Sequence, residues 1–197
     1  MSSLINSGRK LPDTNFQGGI FSVFLANGDD IGLDGLKFMD DGETISGITS
    51  GCTNVYEFKT KGISTFTQTQ TTSQDNGVTT FEQVLVLNLI GMDAATNAKL
   101  RVLGYQRPKV FVQTNNDGIA EGAEPMTVLM GKTHGAKITT GTHTIGANQG
   151  DSYNYQITFT ATETQHANPL NGSTFANPFI GLENTAPWGI PEITRGV

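Results

Sequence analysis

The chain is written as short apolar runs separated by turn residues. "IFSVFLANGDD" places a strand over 20–26, and Asn27-Gly28 after it is suited to supply the positive φ angles of a tight turn. A second strand is expected near 36–39, "DDGET" at 40–44 reads as a hairpin turn into a strand over 44–49, and "NVYEFKTKG" extends another over 54–60. Short strands divided by turn chemistry at this spacing predict an antiparallel sandwich or barrel.

The next stretch, "STFTQTQTTSQDNGVTTFEQVLVLNLIG" at 64–91, is a hairpin whose two halves differ. Asp75-Asn76-Gly77 is a strong hairpin tip, so 63–73 should pair with 78–90. The outgoing arm is polar on both faces towards the tip, whereas the return arm over 84–87 is apolar on both. At ~3.3 Å per residue each arm would reach roughly 35–40 Å, more than one small sandwich covers.

One helix signal follows. Asp93 is a good N-cap, 94–103 supplies helix formers with Ala95, Ala98 and Val102 on one side, Lys99 and Arg101 sit near the end, and Gly104 is placed to stop it. Pro108 forbids continuation. A short helix plugging one side or end of the sheet is the reading. Strands are expected again in 109–118, in 126–131, in a Gly/Thr-rich hairpin region around 136–152, and in 152–167. In the last of these Tyr153, Tyr155, Ile157, Phe159 and Ala161 face one way and Asn154, Gln156, Thr158, Thr160 and Thr162 the other, which predicts one face in a core.

The two ends differ from this pattern. Residues 1–19 lack periodicity and read as an N-terminal arm, leaving 20–167 as the β-sandwich domain. From 168 to 197 the composition turns to Asn, Pro, Gly and isolated aromatics, and Pro169, Pro178, Pro187 and Pro191 lack the donors of a central strand. This predicts an extended C-terminal arm, with Phe175, Phe179 and Trp188 as candidate anchors on a neighbouring subunit; a partly disordered end is the alternative. The expected fold class is therefore mainly β: an antiparallel sandwich or barrel with one short flanking helix, a long hairpin and two arms.

Composition sharpens this. Charged residues make up 15% of the 197 residues, below the roughly 25% of an average domain, and the net charge is −6, so a sequence-independent grip on nucleic-acid phosphates is not expected. The single Cys52 excludes an internal disulfide and a Cys-cluster metal site. No apolar run approaches the ~18 residues of a spanning helix, and "MSSLINSGRKLPD" lacks an apolar signal core, so folding in the cytoplasm where the chain is made is expected.

Motifs for chemistry are sparse. "GKT" at 131–133 lacks the preceding glycine of a phosphate-binding loop, Met126 standing in its place. His134, His143 and His166 have no companion at metal-ligand spacing. Asp29, Asp30, Asp34, Asp40, Asp41 and Glu43 do not follow a calcium-loop spacing and are ordinary turn formers. "NGS" at 171–173 reads as a turn, and no nucleophile constellation stands out. No enzyme, cofactor or metal is expected.

The hairpin then has to be explained as structure. Between Ser64 and Val78 only Asp75 is charged, and such an edge lacks the Lys, Pro and bulges that usually prevent pairing with another chain. A sheet that continues from copy to copy around a ring has no edges, and its polar face would look into a water-filled lumen. Thr65, Thr67, Gln68, Thr69, Gln70 and Thr71, with the tip Asp75, Asn76 and Gly77, are the candidate lumen-lining and inter-subunit residues; both faces are polar near the tip, so the inward face stays open.

The order of a strand pair, a long hairpin, "MDAATNAKLRVLG" as the single helix and a closing "GDSYNYQITFTATETQHA" strand resembles the phage tail tube proteins, which share their fold with the inner tubes of contractile injection systems. "VFVQTNNDG", "VLMGKTHGAKITTG" and "GDSYNYQITFTATE" within 110–163, with "LINSGRKLP" at 4–12, are similar in style to tail tube and related virion proteins of Bacteroidetes phages. The resemblance covers roughly 4–167. It implies a β-sandwich with a flanking helix, a homo-oligomer of hexameric rings stacked into a tube within the virion tail, other tail and neck proteins as partners, and a lumen through which DNA passes without specific binding. Another virion component of similar fold, such as a tail terminator, baseplate hub or decoration protein, is the first alternative. A calcium- or carbohydrate-binding sandwich is the second, on the Asp-rich stretch and Trp188.

Overall fold

The structure is a computed structural model. It describes residues 18–60, 63–75, 77–91, 94–115, 127–148, 150–151 and 153–195. The expected N-terminal arm, the Asn76 corner of the hairpin, the Asp93 cap and the ends of the strands expected over 109–118 and 126–131 thus lie wholly or partly outside the described residues.

Among the described residues thirteen strands and one α-helix follow one another: β1 (Ile20–Ala26), β2 (Leu36–Phe38), β3 (Ile45–Thr49), β4 (Asn54–Lys59), β5 (Thr65–Thr72), β6 (Thr79–Ile90), α1 (Ala94–Leu103), β7 (Lys109–Thr114), β8 (Thr127–Met130), β9 (Lys137–Ile145), β10 (Tyr153–Glu163), β11 (Asn168–Pro169), β12 (Trp188–Gly189) and β13 (Glu192–Thr194). They form a six-stranded sheet in the order β11-β8-β7-β1-β4-β13, a four-stranded sheet β5-β6-β10-β9 and a three-stranded sheet β12-β3-β2.

The six-stranded sheet lies between two cores. On one face Phe24, Ala26, Val55, Phe111 and Leu129 pack with Ile45 and Ile48 of the small sheet and with Leu170, Phe179 and Leu182. On the other, Val23, Leu25, Val110, Val112 and Met130 meet Leu85, Leu87, Leu89, Ile157, Phe159 and Ala161 of the four-stranded sheet. This is why β1 and β7 are continuous apolar runs: a strand covered on both faces has no polar side to show. β10, covered on one face, alternates as its sequence requires, with Ile157, Phe159 and Ala161 buried. The result is a mainly β sandwich with one short α-helix.

Three local expectations change. Asn27-Gly28 does not make a positive-φ turn, and β1 and β2 fall in different sheets. Gly28 is needed for close approach instead, since a Cβ there would lie 2.2 Å from the carbonyl oxygen of Arg107. The helix turns Thr96, Asn97, Leu100 and Leu103 inward and leaves Ala95, Ala98 and Val102 exposed, because the two leucines offer more apolar area to the core than small alanines do.

The third change concerns the C-terminal segment, expected as an extended arm and found packed on its own domain. β11 pairs with β8, β12 with β3, and β13 runs parallel to β4. Phe179 is fully buried, edge-to-face with Phe24 at 5.6 Å and Phe111 at 5.1 Å. Trp188 stacks on Gly47, where a Cβ would sit 3.3 Å from the indole, and Phe175 meets Phe21 at 5.2 Å. The prolines do keep the segment at sheet edges, yet its spaced apolar residues are what close the first core.

Candidate assembly surface

The four-stranded sheet carries the candidate residues, and its register sorts them by face. β5 pairs with β6 from Thr65↔Val86 to Thr72↔Thr79, and Ser73 N–H donates to the Val78 carbonyl at 2.9 Å beyond the last pair. Gly77 has a φ of 63°, the left-handed conformation a tight tip requires. β10 continues the sheet against β6, and β9 closes it against β10.

Cross-strand rows follow directly. Thr65, Val86, Thr158 and Thr140 form one row, and Thr67, Val84, Thr160 and Lys137 the next. Thr69, Glu82 and Thr162 extend the face towards the tip, while Asn88, Gln156 and Thr142 extend it towards the root. All these side chains point away from the core, since side chains alternate along a strand and their neighbours Leu85, Leu87, Ile157 and Phe159 are buried. The outer face is mostly threonines, with two valines, Asn88, Gln156 and the opposite charges Glu82 and Lys137.

Gln68 and Gln70 fall on the opposite face. The Gln68 side-chain oxygen accepts from the Ala167 backbone N–H at 2.8 Å, and His166, itself 4.4 Å from the Phe81 ring, lies against it. Gln68 is thus held by the chain's own body, Gln70 lies exposed on the same face, and Thr65, Thr67, Thr69 and Thr71 lie on the other. Asp75 is exposed at the tip, and Asn76 lies outside the described residues.

Buried polar groups on the inner face hold the loop after β8. Gln83 accepts from Gly131 N–H at 3.0 Å, and Glu163 accepts from Thr133 N–H at 2.9 Å and His134 N–H at 3.3 Å. Lys109, almost fully buried, donates to the Lys132 carbonyl; burial draws its pKa below the ordinary lysine value, against the opposing pull of Glu163. Lys132 lies 4.4 Å over the Phe38 ring. "GKT" is thus a turn whose lysine rests on an aromatic face, with strands before and after it.

Both margins of this sheet are unpaired by any described strand. β5 has no charged residue, no proline and no bulge, and nearly all of it is exposed. β9 begins with Lys137 and carries an irregularity where Thr139 is skipped in the pairing with β10; from Thr140 to Ile145 it is regular in register and exposed. Strand directions alternate across the sheet, so β5 and β9 run antiparallel to each other. The sequence reading singled out β5 and missed β9 as its counterpart, although the alternation in "KITTGTHTI" carries the same signature.

Among the described residues no three or more His, Cys, Asp and Glu side chains come together as a metal site, and no helix is long and apolar enough to cross a membrane. Asp41 is engaged locally: it accepts from the backbone N–H of Glu43 and Thr44 and from the Thr44 hydroxyl, and these bonds, the hydroxyl foremost, hold its pKa below the ordinary carboxylate value. Comparison with protein-family models, with curated proteins and with solved structures found no match.

Proposed function

We propose that the chain is a structural subunit that assembles through the margins of its four-stranded sheet into closed rings, stacked as the tail tube of a phage virion. The observation that carries this reading is the pair of long, exposed, almost uncharged edges, β5 and β9, running antiparallel on opposite sides of one sheet. Rotating a second copy about an axis along the strands brings its β5 beside β9 of the first in antiparallel order. Every added copy continues the alternation, and closure removes both edges.

Six copies of a four-stranded sheet give about 24 strands; at ~4.8 Å spacing and a tilt of ~40° the backbone cylinder is roughly 45–50 Å across, wide enough for a DNA duplex. The Thr-rich face lines that space. Hydroxyls with few charges offer phosphates neither a strong attraction nor a barrier, which suits passage without retention. The order of elements, which resembles that of tail tube proteins, supports the same reading.

Negative-stain microscopy and sedimentation of the purified protein test it, beside the variant Thr140→Lys/Thr142→Lys. The wild type is expected to form rings or tubes. The variant, altered only at exposed positions and so changed in stability by about 1 kcal/mol or less in total, is expected to remain monomeric. A wild type that stays monomeric at high concentration refutes the proposal.

A further inference from the structure

A groove of about 790 Å³ opens between α1, the ends of β1 and β4 and the Ile90 end of β6. Tyr56, Phe58, Ile90, Val102 and Leu103 supply apolar walls, and Ile90 and Val102 are 60% and 52% exposed beside it. Its described lining is basic, against the acidic whole. Arg195 neutralises Glu57 at 3.0 Å, leaving Lys59 and Lys99 without an acidic partner among the described residues.

The β5–β6 tip lies at the other end of the same strand. β6 runs 12 residues from the tip to the groove, roughly 35–40 Å at strand rise. The only charge in the tip's sequence is Asp75, and Val78 beside it leaves 52% of its surface exposed. A hairpin end with one acidic residue and an exposed valine and a basic groove with apolar walls therefore sit at opposite ends of β6.

We infer that the groove receives the β5–β6 tip of a second copy, with Asp75 set against Lys59 and Lys99 and Val78 against the apolar wall. A contact between two different patches at opposite poles is heterologous and repeats without closing, so it propagates along the strand direction. The inference rests on the ring reading and adds the contact that joins one ring to the next. Lateral edges close each ring; tip and groove set the axial repeat.

The test uses the full chain and two kinds of variant. Lys99→Glu/Val102→Glu alters exposed helix positions only, and is expected to keep rings while lowering the fraction in tubes at least tenfold, as seen by microscopy and sedimentation. Adding Asp75→Lys to Lys99→Glu should recover tubes that either charge change alone diminishes. Separately, Asp75→Cys/Lys99→Cys under mild oxidation should give chains linked between rings, Cys52 being buried.

Undiminished tubes in Lys99→Glu/Val102→Glu overturn the inference, as does a cross-link confined within single chains or no cross-link at all. Loss of rings together with tubes also overturns it, because the groove would then serve the lateral contact. Failure of the ring reading itself looks different: the unaltered protein would form no rings.

Discussion

Phe179→Ala separates a segment that completes a core from one that rests on a neighbour. Phe179 is inaccessible to solvent and touches Phe24 and Phe111 edge-to-face. Deleting a buried phenylalanine costs about 3–5 kcal/mol, and two edge-to-face contacts worth roughly 0.5–1.5 kcal/mol each beyond area burial put this site towards the upper end. Domains of this kind hold only about 5–15 kcal/mol in total. At ~2–4 °C per kcal/mol for this length, the melting temperature should fall by roughly 8–20 °C. The assay is thermal and urea unfolding of dilute, unassembled protein, where contacts between copies contribute nothing. Phe175→Ala is the internal comparison: this residue is 37% exposed, and about 1 kcal/mol is expected. A Phe179→Ala shift below about 3 °C, or one that grows with protein concentration, would refute the assignment of this ring to the chain's own core.

Three further outcomes follow from the same geometry. Truncation after Ala167 removes Leu170, Phe179 and Leu182 from the first core and should leave no cooperative thermal transition; a native-like melt of the truncated chain contradicts the packing. Burial, with the Asp30 carboxylate adding to it, pushes the Cys52 thiol from 9.0 up to about 12, so thiol reagents should label it at neutral pH only in denaturant. The linked stability is intact below about pH 9 and declines as pH rises from there towards 12, because the unfolded chain releases the proton first; Cys52→Ala should flatten that decline in urea titrations across the window. At the β2–β3 turn, the depressed pKa of Asp41 means its bonds persist above the ordinary carboxylate range and are lost as pH falls through the lowered value. The Glu43 and Thr44 amide resonances should titrate together there, and Asp41→Ala should abolish the titration.

The parts of the fold legible in the sequence were those fixed by local rules. Alternation in β10, the continuous runs of β1 and β7, the Asp-Gly turn at 41–42 and the pairing of β5 with β6 each follow from period and turn chemistry, and the strands appear within a few residues of the reading. What was missed depends on distant partners. Whether Phe179 anchors a neighbour or fills a core depends on Phe24 and Phe111, more than 150 and 60 residues away in the chain, and local pattern carries no information about either. Proline correctly barred the segment from a sheet centre, but that is a statement about backbone donors, and burial of side chains is independent of it. Leu170, Phe179 and Leu182, apolar residues spaced through turn-rich sequence, were the available signal.

Face assignment on the hairpin shows the same limit at shorter range. Thr and Gln are both polar, so alternation in "TFTQTQTT" gives two faces without ranking them. The ranking comes from the cross-strand partners: Phe66 opposes Leu85 and Gln68 opposes Gln83, both buried, whereas Thr65 and Thr67 oppose Val86 and Val84 on the open side. Gln68 is then used by the Ala167 amide, which fixes the segment entering β11. One strand thus presents hydroxyls outward, holds the C-terminal segment inward and leaves its margin unpaired by any described strand. The outward face and the margin carry no part of either core, so substitutions there can test the proposed assembly while the fold is kept, and substitutions at Phe66 or Gln68 cannot make that separation.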